Sequence, residues 1–137
     1  QTLPESCELW LDSAHNADAS KALATAIEHW DQQERRNTFY VVAMMRTKDI
    51  AGFIEPIKRV AFQLVAVPVP DEDTSHKPAN INKVSLDMGI PAYEKQDIFT
   101  AISFLSNCQG IEKARVVICG SIYFCGAILK LNQELIN

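Results

Sequence analysis

Apolar residues along this chain switch repeatedly between two spacings. Cys7-Glu8-Leu9-Trp10-Leu11 is a short run with strand-like bulk. From Ala17 to Trp30 the apolar positions Ala19, Leu23, Ala26, Ile27 and Trp30 then follow a helical stripe. Asp12 is accordingly expected at the carboxyl end of a buried strand. Thr38 to Met44 returns to β-branched and aromatic bulk and predicts a second strand. Asp49 is positioned to cap a helix running from Ile50 towards Lys58. Val60 to Val67 predicts a third strand, stopped by Pro68 and Pro70, which cannot serve a central ladder.

The stretch Val69 to Lys77 is polar and reads as a surface loop. Pro78 suits the first position of a helix that runs to Met88 and stops at Gly89. Ala92 to Glu94 is a short strand candidate. Asp97 to Ser106 puts Ile98, Ala101, Ile102 and Leu105 on one helical face. Ala114 to Cys119 predicts the last and most apolar strand, and Ile122, Ala127, Ile128, Leu131 and Leu135 give a final helix its stripe. Strands alternating with helices at these intervals imply βαβ units, hence an α/β fold with a mostly parallel sheet between helices.

Composition narrows the class. With 137 residues, 47% of them hydrophobic, the chain has the size and apolar content of one globular domain, residues 1–137. A net charge of −4 argues against nucleic acid, which needs a basic face. The pairs Arg35-Arg36 and Lys58-Arg59 read as isolated solvated surface, and Asp71-Glu72-Asp73 as a solvated loop. Cys7, Cys108, Cys119 and Cys125 lack C-x-x-C spacing, and three of them sit in or beside apolar runs as small buried hydrophobes do, so the chain reads as reduced and cytosolic rather than as a zinc site or a disulfide framework. Val116 to Leu129 is the longest apolar stretch, but Gly120-Ser121 breaks it, and it falls short of the ~20 residues of a membrane span.

Three predicted strand-to-helix junctions carry polar residues: Asp12 to Asn16, Arg46 to Asp49, and Gly120 to Tyr123. Parallel strands would bring all three to one edge of the sheet, where open α/β sheets bind ligands. Asp12 either accepts hydrogen bonds from ribose hydroxyls or a metal-bound water, or caps its own turn. His15 either faces a carboxylate or phosphate or ties down the loop. Asn16 reads most simply as a helix N-cap. Gly120 permits a tight turn and leaves the Ser121 hydroxyl for a substrate carboxylate or for a cap. Lys48 suits phosphate, and a plain surface loop fits it equally. His29 and His76 have no ligand-spaced partners. Neither a G-x-G-x-x-G fingerprint nor a P-loop is present, so the chain cannot cradle a triphosphate in that manner.

Leu11-Asp12-Ser13-Ala14-His15-Asn16 resembles the D-x-A-H-N-P signature of the folylpolyglutamate synthase and dihydrofolate synthase family, a branch of the Mur-type ATP-dependent peptide ligases. Ala43-Met44-Met45-Arg46-Thr47-Lys48-Asp49 resembles the family's G-M-x-x-x-K-D segment, and Cys119-Gly120-Ser121-Ile122-Tyr123-Phe124 its G-S-[LF]-Y segment. Ala17 stands in place of the signature's Pro, Ala43 in place of its Gly, and Thr47 in place of the commoner Asn or Asp. The resemblance implies a Rossmann-like carboxy-terminal lid with a mixed, mostly parallel sheet. It also implies a monomeric, cytoplasmic parent whose amino-terminal ATPase domain holds the P-loop, a carbamylated lysine and the Mg²⁺ ligands. Gln1 then follows the family's P-G-R-[LF] linker. In such a parent ATP activates a pteroate or folate carboxylate, and L-glutamate is added to it. Carried over by position, Asp12 matches the residue facing ATP, His15 and Ser121 match residues placing glutamate, and Asn16, Lys48, Asp49 and Tyr123 support them. No catalytic residue or metal ligand is expected in this chain, and the excised domain is expected to be inactive. Two alternatives remain, a Mur cell-wall ligase domain and a stand-alone nucleotide- or carboxylate-binding module.

Overall fold

A computed structural model describes residues 2–136, with side chains as far as residue 132. The elements follow in the order β1 (Glu8–Leu11), α1 (Ala17–Gln33), β2 (Thr38–Val42), α2 (Ile50–Ile57), β3 (Gln63–Ala66), α3 (Pro78–Asp87), β4 (Ala92–Glu94), α4 (Ile98–Ser106), β5 (Arg115–Cys119) and α5 (Ile122–Ile136). The strands form one sheet in the order β1-β5-β2-β3-β4, and all four pairings are parallel. The expected α/β sandwich is what forms. The one antiparallel pairing described is an isolated bridge between Met45 and Ser75.

Alternation along the strands divides the core in two. Tyr40, Val42, Leu64, Ala66, Val117 and Cys119 face α1, α2 and α3. Their neighbours Phe39, Val41, Val65, Val116 and Ile118 face α4 and α5. The first three helices therefore cover one face and the last two the other, as right-handed crossovers require when β5 returns between β1 and β2.

Several sequence expectations are corrected. β1 is an edge strand and is not buried: Leu9, Trp10 and Leu11 are 56%, 41% and 37% exposed, because only β5 pairs with it. Val60 belongs to a 3₁₀ turn at Lys58–Val60, so β3 starts at Gln63. Ile122 is exposed, and Phe124 and Cys125 bury in its place, Phe124 joining the cluster under the β5 face. The side chain of Leu135 lies outside the described residues. Arg36 is not solvated: its guanidinium donates to the carbonyls of Ser6 and Lys113 and pairs with Glu34 at 2.9 Å, tying the amino-terminal segment to the loop before β5.

Pro78 does open α3, and Gly89 at φ 86° does end it, with the Ile90 N–H returning to the Ser85 carbonyl. Beneath the opposite end of the sheet Arg115 is 2% exposed and donates to Asp31 and Thr38, both at 3.0 Å. The Trp30 ring lies 5.4 Å from that guanidinium and stacks on Trp10.

Candidate functional site

The strand order β1-β5-β2 sets the three motif-bearing strands side by side, so their carboxyl-end loops are neighbours. α1 and α2 leave this rim over one face and α5 over the other, which makes β5 the point where the winding reverses. Main-chain bonds knit the junctions together. The Asp12 N–H donates to the Ile118 carbonyl at 2.9 Å, the Gly120 N–H to the Ala14 carbonyl at 2.9 Å, and the Ala43 N–H to the Cys119 carbonyl at 3.3 Å.

Gly120 is indispensable to this arrangement. Its φ is 109°, and a Cβ there would lie 2.5 Å from the Ala43 carbonyl oxygen. Ala43 is itself fully buried, so its backbone meets Gly120 and not a ligand.

The side chains take definite roles. An Asp12 carboxylate oxygen accepts the Ala14 N–H at 2.8 Å, an Asx turn that leaves the second oxygen without a protein partner among the described residues. His15 Nδ1 lies 3.0 Å from the Ser13 carbonyl; because that carbonyl only accepts, Nδ1 carries the proton and Nε2 is the atom left for a ligand. Asn16 caps α1, accepting the Ala19 N–H at 2.9 Å, as its sequence position predicts. Ser121 is 2% exposed, and its oxygen accepts the N–H groups of Tyr123 and Phe124 at 3.1 and 3.3 Å. The hydroxyl is therefore a cap of α5, with its proton left to donate, rather than a freely exposed group. The Tyr123 ring is exposed beside it.

Asp49 occupies the N-cap position of α2 but makes no side-chain capping bond. Its carboxylate lies instead over Gly52, where a Cβ would come within 2.5 Å of it. Lys48 is half-buried on the β2–α2 loop.

Two groups escaped the sequence reading. Cys125 donates its thiol hydrogen to the Asp12 carbonyl at 3.2 Å, joining α5 to the first junction. Burial, with the Asp12 carboxylate nearby, raises both the Cys125 and Cys119 thiols, so both stay protonated at neutral pH. His76 reaches the rim from the β3–α3 loop and touches the Lys48 carbonyl at 2.8 Å. Neither residue had a local signal, since both partners are distant in the chain. Among the described residues no three His, Cys, Asp or Glu side chains gather as a cation site would require, and no helix is long and apolar enough to cross a membrane. The arrangement is an open polar rim with one oriented imidazole, one half-free carboxylate and a helix amino end. It can hold part of an anionic ligand.

Known proteins share both the sequence pattern and the fold. The chain is 24% identical over 132 residues to a probable dihydrofolate synthetase of Schizosaccharomyces pombe, covering 92% of this chain and 31% of that protein. Its fold matches a bifunctional folylpolyglutamate synthase/dihydrofolate synthase of Yersinia pestis complexed with AMPPNP and Mn ion, with a TM-score of 0.78 and 21% identity over 97% of this chain and 30% of that one. It matches E. coli FolC in complex with DHPP and ADP equally well, with a TM-score of 0.78 and 19% identity over 100% of this chain and 31% of that one. The chain thus spans about a third of the length of these relatives. Residues 1–131 match the family described as dihydrofolate synthetase, C-terminal domain, and the chain belongs to that family.

Proposed function

We propose that this chain is the carboxy-terminal lid of an ATP-dependent folate ligase, a folylpolyglutamate synthase/dihydrofolate synthase. The observation that carries this reading is the convergence of Asp12, His15 and Ser121 on one rim of β1, β5 and β2, in a chain matched to the family over residues 1–131. In the reaction the γ-phosphoryl group of ATP passes to a carboxylate oxygen of a pteroate or folate, and ADP leaves. The glutamate amine attacks the acyl carbon, the new C–N bond forms as inorganic phosphate departs with the C–O bonding pair, and the amine gives up a proton.

This chain's share is positioning. In this reading Mg²⁺ and the triphosphate are held mainly by the parent's amino-terminal ATPase domain, the partner that the rim faces, and no divalent-cation site is gathered among the described residues of this chain. The free oxygen of Asp12 suits a nucleotide ribose hydroxyl, since a carboxylate repels phosphate. His15 Nε2 meets glutamate, donating to a carboxylate when protonated and accepting from the amine when neutral. The Ser121 proton donates to a glutamate carboxylate. Holding the reactants in register is worth up to about 7–11 kcal/mol of barrier, and closure over the acyl phosphate keeps water from hydrolysing it.

The test is steady-state kinetics of the full-length parent. His15→Ala should raise KM for glutamate several-fold more than KM for ATP, and the opposite pattern removes His15 from the glutamate role. Glutamate should be used in preference to alanine or diaminopimelate. The 137-residue chain alone should show no ATP-dependent glutamate addition; robust activity from it refutes a lid that needs its partner domain.

A further inference from the structure

The β3–α3 loop does not lie free on the surface. Residues 74–76 run back along residues 44–46: the Arg46 N–H donates to the Thr74 carbonyl at 2.6 Å, Met45 and Ser75 form an antiparallel bridge, and the His76 N–H donates to the Met44 carbonyl at 2.8 Å. The Arg46 guanidinium is engaged in the same latch, donating to the Asp73 carbonyl at 3.2 Å. On the other side Ser75 Oγ accepts the Val69 N–H at 2.9 Å and closes the loop on itself. His76 makes the last tie, with Nε2 at 2.8 Å from the Lys48 carbonyl. That carbonyl only accepts, so Nε2 carries the proton. The Lys48 N–H meanwhile returns to the Met45 carbonyl at 3.0 Å.

Lys48 is therefore gripped by its main chain from both sides, in a tight turn directly before α2. Its ammonium has no carboxylate partner among the described residues. A main chain fixed this firmly around an uncommitted cation is what presentation of a point charge to an anion requires. Of the acidic residues of the same loop, Asp71 and Asp73 are exposed and Glu72 is half-buried, and none of the described ion pairs joins them to Lys48.

We propose that His76 is a positioning residue of the rim: by donating to the Lys48 carbonyl it fixes the Met45–Lys48 turn, so that Lys48 presents its ammonium to an anionic oxygen of the ligand. The ligand chemistry is a phosphoryl or carboxylate oxygen, and the phosphoryl groups of the nucleotide suit the compact charge of a lysine best. This assignment rests on the ligase reading above, yet the latch itself can be tested without it. His76→Phe keeps the bulk and deletes the donor, whereas His76→Gln keeps a donor.

In the full-length parent, wild-type activity is measured first, because its absence defeats the ligase reading and not the latch. With activity present, His76→Phe should raise KM for ATP about fivefold, the worth of one hydrogen bond, with kcat and KM for glutamate within about twofold of wild type. His76→Gln should recover most of the loss. A matching rise in KM for glutamate alone would make the anion the glutamate carboxylate. The 137-residue chain provides the independent arm: amide hydrogen exchange at Met45–Lys48 and titration with inorganic phosphate followed at the Lys48 side chain by NMR. Faster exchange and weaker phosphate binding in His76→Phe, both restored by Gln, support the proposal. Unchanged exchange and binding, or a Gln variant as impaired as Phe, overturns it.

Discussion

Substituting Gly120 by alanine tests whether the rim is built on a close backbone crossing. Two costs add there. An L-residue at φ 109° is strained, by about 1–2 kcal/mol or more for leaving the ordinary backbone regions. The new methyl would also sit 2.5 Å from the Ala43 carbonyl oxygen, 3.0 Å from Val42 Cγ1 and 3.2 Å from the Ala43 carbonyl carbon. These atoms cannot retreat freely, because Ala43 is fully buried and its N–H is bonded to the Cys119 carbonyl. Forcing apart two packed strands of this kind costs about 1–3 kcal/mol.

Gly89 supplies the control within the same molecule. It has φ 86°, but nothing lies within 4 Å of a Cβ built on it. Its alanine variant therefore carries the backbone strain alone, partly offset by the reduced freedom of the unfolded chain, and should cost about 1 kcal/mol. Gly120→Ala should cost about 2–4 kcal/mol. The assay is urea unfolding followed by tryptophan fluorescence, since Trp10 and Trp30 stack on each other in the native state. If Gly120→Ala shifts the midpoint no further than Gly89→Ala at equal slope, the crossing does not constrain the rim.

Other consequences are open to measurement. Arg115 is 2% exposed at its side chain and Asp31 21%, so losing either partner is not symmetric: the aspartate can regain water, whereas the buried arginine is left with only the more distant Glu8 carboxylate at 4.0 Å as a charge partner. Asp31→Asn should cost about 3 kcal/mol and Arg115→Met clearly less, and a larger loss for Arg115→Met in urea titrations would contradict this. Asp97 caps α4, and the Thr100 main-chain N–H holds its carboxyl below the usual range. Its folded value is depressed, so the stability it adds is full above the unfolded carboxylate range and is lost as pH falls through the folded value. Asp97→Ala should therefore weaken the pH dependence of thermal stability on the acid side, and an unchanged profile would show that the cap carries no charge effect.

Much of the rim was readable because its signals are local. Asn16 as a cap, Asp12 at the end of a strand, Gly120 in a tight turn and Ser121 beside it each follow from a few consecutive residues whose backbone groups need partners. Where the reading failed, the deciding partner was distant. Asp49 fills a capping position by sequence, but its carboxylate takes the space over Gly52 instead. Arg36 looks like surface until Ser6 and Lys113 offer it carbonyls. His76 has no motif around it, and its partner is the main chain of Lys48. Backbone carbonyls are the same at every residue and leave no mark on the sequence.

By itself the sequence determined the alternation of strands and helices, since periodicities of two and 3.6 are properties of neighbouring residues. It also determined which junctions carry polar groups. Only the tertiary structure decided that β5, last along the chain, slots between β1 and β2, so that the three junctions share one rim. It also left β1 at an exposed edge. Strand order depends on which apolar faces are buried together by helices crossing the sheet, a sum over the whole chain that no single window contains.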